Sequence, residues 1–119
     1  MARQILLKLD AGKFKAVTSV FTLDEVVWVL RKEIDYQHAV AVGKKMFSIN
    51  NLDMVVADTR VMSIALDYME KYKLKPRDVI HVGSIVFNNV RTIISEDPDF
   101  KKIRKIKSLT FSEFLKKVK

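Results

Sequence analysis

No cysteine occurs anywhere in the 119 residues, and that one absence removes disulfides, thiolate zinc sites and cysteine nucleophiles together. Histidine is nearly as scarce, since His38 and His81 are too few to build a histidine zinc site. Any metal held by this chain is therefore expected on oxygen, which selects Mg²⁺ or Mn²⁺. Glycine and proline are also rare, at three and two residues, which sets the chain apart from disordered and fibrous classes. No apolar run approaches the roughly 18 to 20 residues of a membrane span. Met1-Ala2-Arg3-Gln4 does not lead into a signal-peptide core, so a soluble, cytosolic protein without membrane contact is expected.

What remains is the composition of a folding, helix-rich chain. Hydrophobic residues make up 49% and charged residues 30%, over a length that suits one core and not two, so a single domain over residues 1–119 is expected. The charge is uneven. Of the net +8, the stretch from Lys101 to Lys119 contributes +7, with eight Lys or Arg against Glu113 alone. Such a basic end suits a polyanion such as RNA through counterion release, and it equally suits plain solubility.

Periodicity orders the chain as helices alternating with short extended runs. Ala2 to Leu9 reads as a helix closed by Asp10-Ala11-Gly12, and Phe14 to Ser19 as a strand. Thr22 and Glu25 have the spacing of a capping box, heading a helix whose stripe is Leu23, Val26, Val27, Leu30 and Ile34. Asp35 starts a second helix with Ala39, Val42, Met46 and Phe47 on one face, giving a helical hairpin that breaks at Asn50-Asn51. Leu52 to Ala57 reads as a buried strand, Thr59 to about Tyr72 as a helix, and Lys73-Leu74-Lys75 as a linker. Pro76 suits the first position of a buried central helix that runs to Phe87. Val90 to Ser95 reads as another buried strand, and Asp97 to Ile103 as a short helix. Ile106 to Leu109 reads as a brief extended piece before a terminal helix from Thr110 to Val118.

Strands alternating with helices imply right-handed crossovers and a parallel sheet, hence an α/β fold whose functional groups gather beyond the carboxyl ends of the strands. The acids so placed are Asp24, Glu25, Asp58, Asp97 and Asp99, with Asp78 in the first turn of its own helix. Phosphodiester hydrolysis at neutral pH needs a strong nucleophile and neutralised phosphate charge, and Mg²⁺ held by several carboxylates supplies both. Carboxylates brought together without a cation would raise one another's pKa, so a cluster is reasonable only around a metal.

Taken one at a time, these acids also have purely structural uses. Glu25 serves as the third residue of a capping box, Asp78 complements a helix dipole, and Asp97 and Asp99 shape a turn around Pro98. Asp58 reads as a helix cap and His81 as a packed residue on an apolar helix. Trp28, with Val29 and Met46, reads either as core or as an exposed face for a partner helix.

Three stretches, in order, resemble the PIN domain family, including its VapC-type toxin ribonucleases. Val17-Thr18-Ser19 followed by Thr22-Leu23-Asp24-Glu25-Val26 is similar to the family's second strand and the helix bearing an acid, which would be Glu25. Pro76-Arg77-Asp78-Val79-Ile80-His81 resembles the central-helix motif, whose aspartate would be Asp78. Thr92-Ile93-Ile94-Ser95-Glu96-Asp97-Pro98-Asp99-Phe100 resembles the strand-to-loop signature of a hydroxyl residue, two alternating aspartates and a phenylalanine, and is the most specific of the three. The resemblance extends from Ala2 to about Phe114. It implies a three-layer fold with a parallel sheet between helices and Mg²⁺- or Mn²⁺-dependent cleavage of single-stranded RNA. It further implies that Glu25, Asp78 and Asp97 are catalytic metal ligands, that Asp99 is an auxiliary acid, and that Ser95 braces a metal-bound water or a carboxylate. Phe100 is expected in the core. The hairpin over residues 22 to 49 would meet an antitoxin protein and a second copy in a homodimer.

One departure stands out. The family opens with a central strand ending in an aspartate, usually within Asp-Thr-Asn or Asp-Ser-Asn, whereas this chain opens in the helix that follows it, and Asp10 falls in a turn and cannot substitute. Either the true start lies upstream or the protein is a variant whose neighbouring strands carry unpaired backbone. The leading expectation is a Mg²⁺-dependent endoribonuclease, a toxin or an RNA-processing enzyme. The alternative is a catalytically degenerate relative that acts as an RNA- or protein-binding module. An unrelated α/β fold would scatter the acids.

Overall fold

A computed structural model of the protein describes Met1 to Val118; Lys119, the last residue of the basic end, lies outside the described residues. The helices are Ala2–Asp10 (α1), Val20–Glu33 (α2), Tyr36–Met46 (α3), Thr59–Tyr72 (α4), Pro76–Phe87 (α5) and Phe111–Lys117 (α6). The strands are Ala16–Ser19 (β1), Leu52–Val55 (β2), Thr92–Ile94 (β3) and Lys107–Leu109 (β4), and a 3-10 turn spans Pro98–Lys102. Every pairing is parallel, as helical crossovers require: β1 pairs β2 with Ala16 opposite Leu52, and β3 pairs β4 with Thr92 opposite Lys107. The strands form two separate two-stranded sheets, β1-β2 and β3-β4.

The core lies under α5. Val79, Ile80, Val82, Gly83, Ser84 and Ile85 are all buried there, and Ala65, Leu74, Phe100, Ile103 and Ile106 pack around them. This concentration follows from a helix apolar on most sides, which has to be covered on most sides. Helix α4 makes the closest approach, because Gly83 lets the backbones touch: a Cβ placed there would sit 2.6 Å from the Val61 carbonyl oxygen. Asp58 caps α4 as expected, accepting hydrogen bonds from the Arg60 and Val61 amides. Asp35 caps α3 through the His38 amide, and Thr110 with Glu113 completes a capping box on α6.

Several expectations shift. Helix α2 starts at Val20 with Ser19 as its cap, accepting from the Phe21 amide, and Thr22 lies inside the helix, where its hydroxyl accepts from Thr18. Ser19 can cap earlier because β1 ends on it and its own hydroxyl is placed first. Phe47, expected on the inner face of α3, is 67% exposed, and Trp28 at 55% lies outside the core as well. The inner face of that hairpin is made instead by Ala39 and Gly43. Neither β2 nor β3 is the buried strand expected, since none of their residues is buried. The physical reason is that each two-stranded sheet has a free edge. The linker residue Leu74 is 3% exposed and belongs to the core.

Candidate metal centre

Local chemistry places the acids. Pro76, with no N–H to lose, opens α5 and sets Asp78 in its first turn. Beyond β3 the chain is fixed by a relay of short bonds. The Asp97 amide donates to Ser95 Oγ at 3.0 Å, and the Asp99 amide donates to Asp97 Oδ1 at 2.9 Å. Phe100, 5% exposed as expected, anchors the 3-10 turn that follows. The relay throws Asp97 and Asp99 toward the amino end of α5. Asp78, Asp97 and Asp99 each offer a carboxylate oxygen, and these atoms all lie within 4.8 Å of one another.

The environment of Asp78 fits a cation. Its Oδ2 is buried and has no hydrogen-bond partner among the described residues. Burial pushes its carboxyl above the usual value of 3.8, and the negative charge of Asp97 pushes it further, against partial relief from Lys75 and His81. A hard divalent ion reverses both effects, because it supplies the missing partner for Oδ2 and the missing positive charge. All the donors are carboxylate oxygens, which suits Mg²⁺ or Mn²⁺, whose ligands sit at about 2.1 Å with several waters retained. Three oxygens spread over 4.8 Å can share such an ion directly or through its waters.

Glu25 stands apart from this group. It lies in α2, 41% exposed, with Oε1 at 3.1 Å from His81 Nε2. His81 is one helical turn past Asp78 on the same helix, so Glu25 is held beside the aspartates by an imidazole rather than among them. The role of His81 was readable in principle, since its spacing of three from Asp78 puts both on one face of α5, but nothing in the sequence points across 56 residues to Glu25. Ser95 Oγ accepts from the amide of Asp97, and among the described residues it makes no hydrogen bond to a carboxylate. Lys102 Nζ lies at 3.5 Å from Asp99 Oδ1 and adds a positive charge beside the group.

A cavity of about 700 Å³ opens beside the aspartates and runs between β1 and β3, with Asp78 and Asp97 at one end and Val17, Ile85 and Ile93 along its walls.

Strands in parallel pairs between helices, with aspartates gathered past a strand end, define an α/β protein with a carboxylate cluster at one end of α5. A family model for the PIN domain matches residues 2–106, and the chain belongs to that family. Among solved structures, the chain is similar to a toxin-antitoxin complex from Klebsiella pneumoniae, with TM-score 0.64 and 18% identity over 87% of this chain and 82% of that one. It is also similar to VapBC-1 from nontypeable Haemophilus influenzae, with TM-score 0.67 and 12% identity over 82% and 75%. A third likeness is to VapBC2 from Rickettsia felis, solved with a DNA fragment from their promoter, with TM-score 0.67 and 14% identity over 91% and 83%. At these identities the likeness is one of fold. A comparison with curated proteins finds no match.

Proposed function

We propose that this PIN domain is a Mg²⁺- or Mn²⁺-dependent endoribonuclease acting on single-stranded RNA in the cytoplasm, as a toxin or an RNA-processing enzyme. The observation that carries the reading is the meeting of Asp78, Asp97 and Asp99, from two separate segments, around a buried carboxylate oxygen that lacks a partner. Asp78 and Asp97 would hold the ion, Asp99 would assist, and Ser95 would keep the loop in place. Glu25, steadied by His81, would reach the ion through a water. An ion held by these carboxylates would, when bound, activate a water for attack and neutralise charge on the phosphate. The basic end from Lys101 would attract the RNA backbone.

The test is cleavage of a labelled single-stranded RNA by the protein with Mg²⁺, with Mn²⁺ and with chelator, alongside Asp78→Asn and Asp97→Asn. Metal-dependent cleavage lost in both variants supports the reading. RNA left intact under every metal condition defeats it.

A second reading, a degenerate PIN relative that binds RNA or protein without cutting, is favoured by the position of Glu25, engaged with His81 outside the aspartate group. It predicts salt-sensitive RNA binding that survives both substitutions. The partner surface would be the α2–α3 hairpin, where Trp28, Val29, Tyr36 and Val40 are each about half exposed or more. That face suits an antitoxin helix or a second copy, a reading supported by the likeness in fold to a solved toxin-antitoxin complex.

A further inference from the structure

The basic end of the chain meets the aspartate group at a single residue. Lys101 and Lys102 are neighbours in the 3-10 turn, and their side chains are about equally exposed, at 49% and 52%, yet they are engaged differently. Lys101 Nζ donates to the Ser108 carbonyl at 3.1 Å and to Glu113 Oε1 at 3.4 Å, so its charge is used in tying the turn to β4 and α6. Lys102 stands over Asp99, because side chains three apart eclipse one another in a 3-10 turn. Its Nζ lies 3.5 Å from Asp99 Oδ1, a loose ion pair that leaves its three N–H groups able to reach another acceptor.

The group is graded from the interior to solution. Asp78 Oδ2 is buried, the Asp99 side chain is 31% exposed, and Lys102 lies beyond it in solvent. The charge along this line opposes a polyanion. Asp78, Asp97 and Asp99 carry three negative charges, a divalent ion among them would cancel two, and one is left to repel an incoming phosphate. Lys102 offsets that remainder on the solvent side, where a phosphate arrives. Among the described residues, no other lysine or arginine is ion-paired to any of the three aspartates.

We propose that Lys102 is a substrate-contacting residue, donating to a non-bridging oxygen of the RNA phosphate that meets the aspartate group while its charge stays beside Asp99. The inference rests on the nuclease reading for its ligand, and it adds the group that lets an anion approach three acids. Lysine suits the place, since a compact charge on a flexible stem can serve the carboxylate and the phosphate in turn. The contact differs from the diffuse attraction of the basic end, because it engages one ammonium at one position. An exposed ion pair contributes little to stability, so loss of Lys102 is read in binding and not in folding.

The probe is a labelled single-stranded RNA, titrated with the full chain in Ca²⁺, a hard cation for the same oxygens, and followed by fluorescence anisotropy over a range of salt. Lys102→Gln should weaken binding about tenfold while the circular dichroism stays unchanged. The slope of log affinity against log salt should fall by about 0.7, the share of one phosphate contact on a single strand. Lys102→Arg keeps the charge and the donors and should stay within about twofold of the wild type. Mn²⁺ binding by calorimetry without RNA should move the other way, tightening by about two- to fivefold in Lys102→Gln, because a positive charge beside Asp99 is gone. A role confined to bracing the turn would weaken both. The proposal is overturned if RNA and Mn²⁺ binding weaken together, if RNA affinity and salt slope do not change, or if Lys102→Arg binds no better than Lys102→Gln. It is overturned equally if the wild type binds no RNA, or if Lys101→Gln lowers affinity and slope as much, which leaves only the diffuse pull of the basic end. Binding is read without cleavage, so RNA left intact, which defeats the nuclease reading, does not decide this test, and a silent Lys102 does not decide that one.

Discussion

The protein contains two helical hairpins of similar length built to opposite specifications. In α4–α5, Val61, Ala65 and six residues of α5 are buried, whereas α2 buries none of its fourteen residues and α3 only Ala39 and Gly43. The sequence marks α5 alone as apolar on most sides, whereas α2, α3 and α4 each carry a stripe whose periodicity does not say whether it is covered. The difference lies in what each packs on. Helix α5 is covered by α4, the 3-10 turn and the core, and the acid at its amino end inherits that rigidity. The α2–α3 hairpin leans on β1 and leaves Trp28 and Val29 to solvent. One hairpin holds Asp78 in place and the other leaves an apolar face exposed.

The largest effect expected follows from the rigid hairpin. Asp78→Asn removes a charged ligand from a group whose geometry cannot relax around the loss, and cleavage should fall by at least about 100-fold, as loss of roughly 3 kcal/mol of transition-state stabilisation would produce. Glu25→Gln, on the loosely held hairpin, should cost less. Rates with Mg²⁺ for the two variants measure the contrast directly, and equal losses would break it.

Next in size is packing. Gly83→Ala puts a Cβ 2.6 Å from the Val61 carbonyl oxygen and 3.2 Å from Ala65, and that backbone has no side chain to rotate out of the way. Alanine gains about 1 kcal/mol of helix propensity over glycine. Overpacking costs about 1 to 3 kcal/mol and here meets backbone, so the clash wins. A net loss of roughly 1 to 2 kcal/mol by urea denaturation is expected.

Asp78 also makes a prediction about stability without metal. Its carboxyl titrates above the ordinary 3.8, chiefly through burial, so the folded state holds the proton more tightly than the unfolded chain does. The stability this group contributes is full below 3.8 and is lost as pH rises through its folded value. At neutral pH the ionised group is therefore a liability that Asp78→Asn relieves. In chelator the variant should melt higher than the wild type. The gap should close in acid. With Mg²⁺ the order should reverse, because only the wild type is stabilised by binding.

Much of the α5 end of the site was legible because its signals are local. Proline at the helix start and the Ser95, Asp97, Asp99 alternation each act within a few residues. The whole of the 3-10 loop relay can be read from that spacing. Glu25 was harder, since its partner His81 is 56 residues away and their meeting depends on how α2 crosses α5. Phe47 was misread and Trp28 left open for a related reason, as an apolar stripe shows which face of a helix could be buried and not whether anything covers it. The split between β1 and β3 was anticipated only as unpaired backbone.

The smallest effect, opposite in sign, completes the comparison. Gly43 in α3 is buried like Gly83, but a Cβ there would meet only side-chain atoms, Val27 Cγ2 at 3.1 Å and Leu23 Cδ1 at 3.5 Å. Val27 is stiff at χ1, yet α2, which carries it, buries no residue and can shift by a few tenths of an ångström at little cost. The propensity gain of about 1 kcal/mol should therefore outweigh the crowding, leaving Gly43→Ala neutral to about 0.5 kcal/mol more stable. Paired urea melts of Gly43→Ala and Gly83→Ala test this. If both lose stability equally, the two hairpins are equally rigid, and the exposed apolar face of α2–α3 no longer marks the adaptable half of the protein.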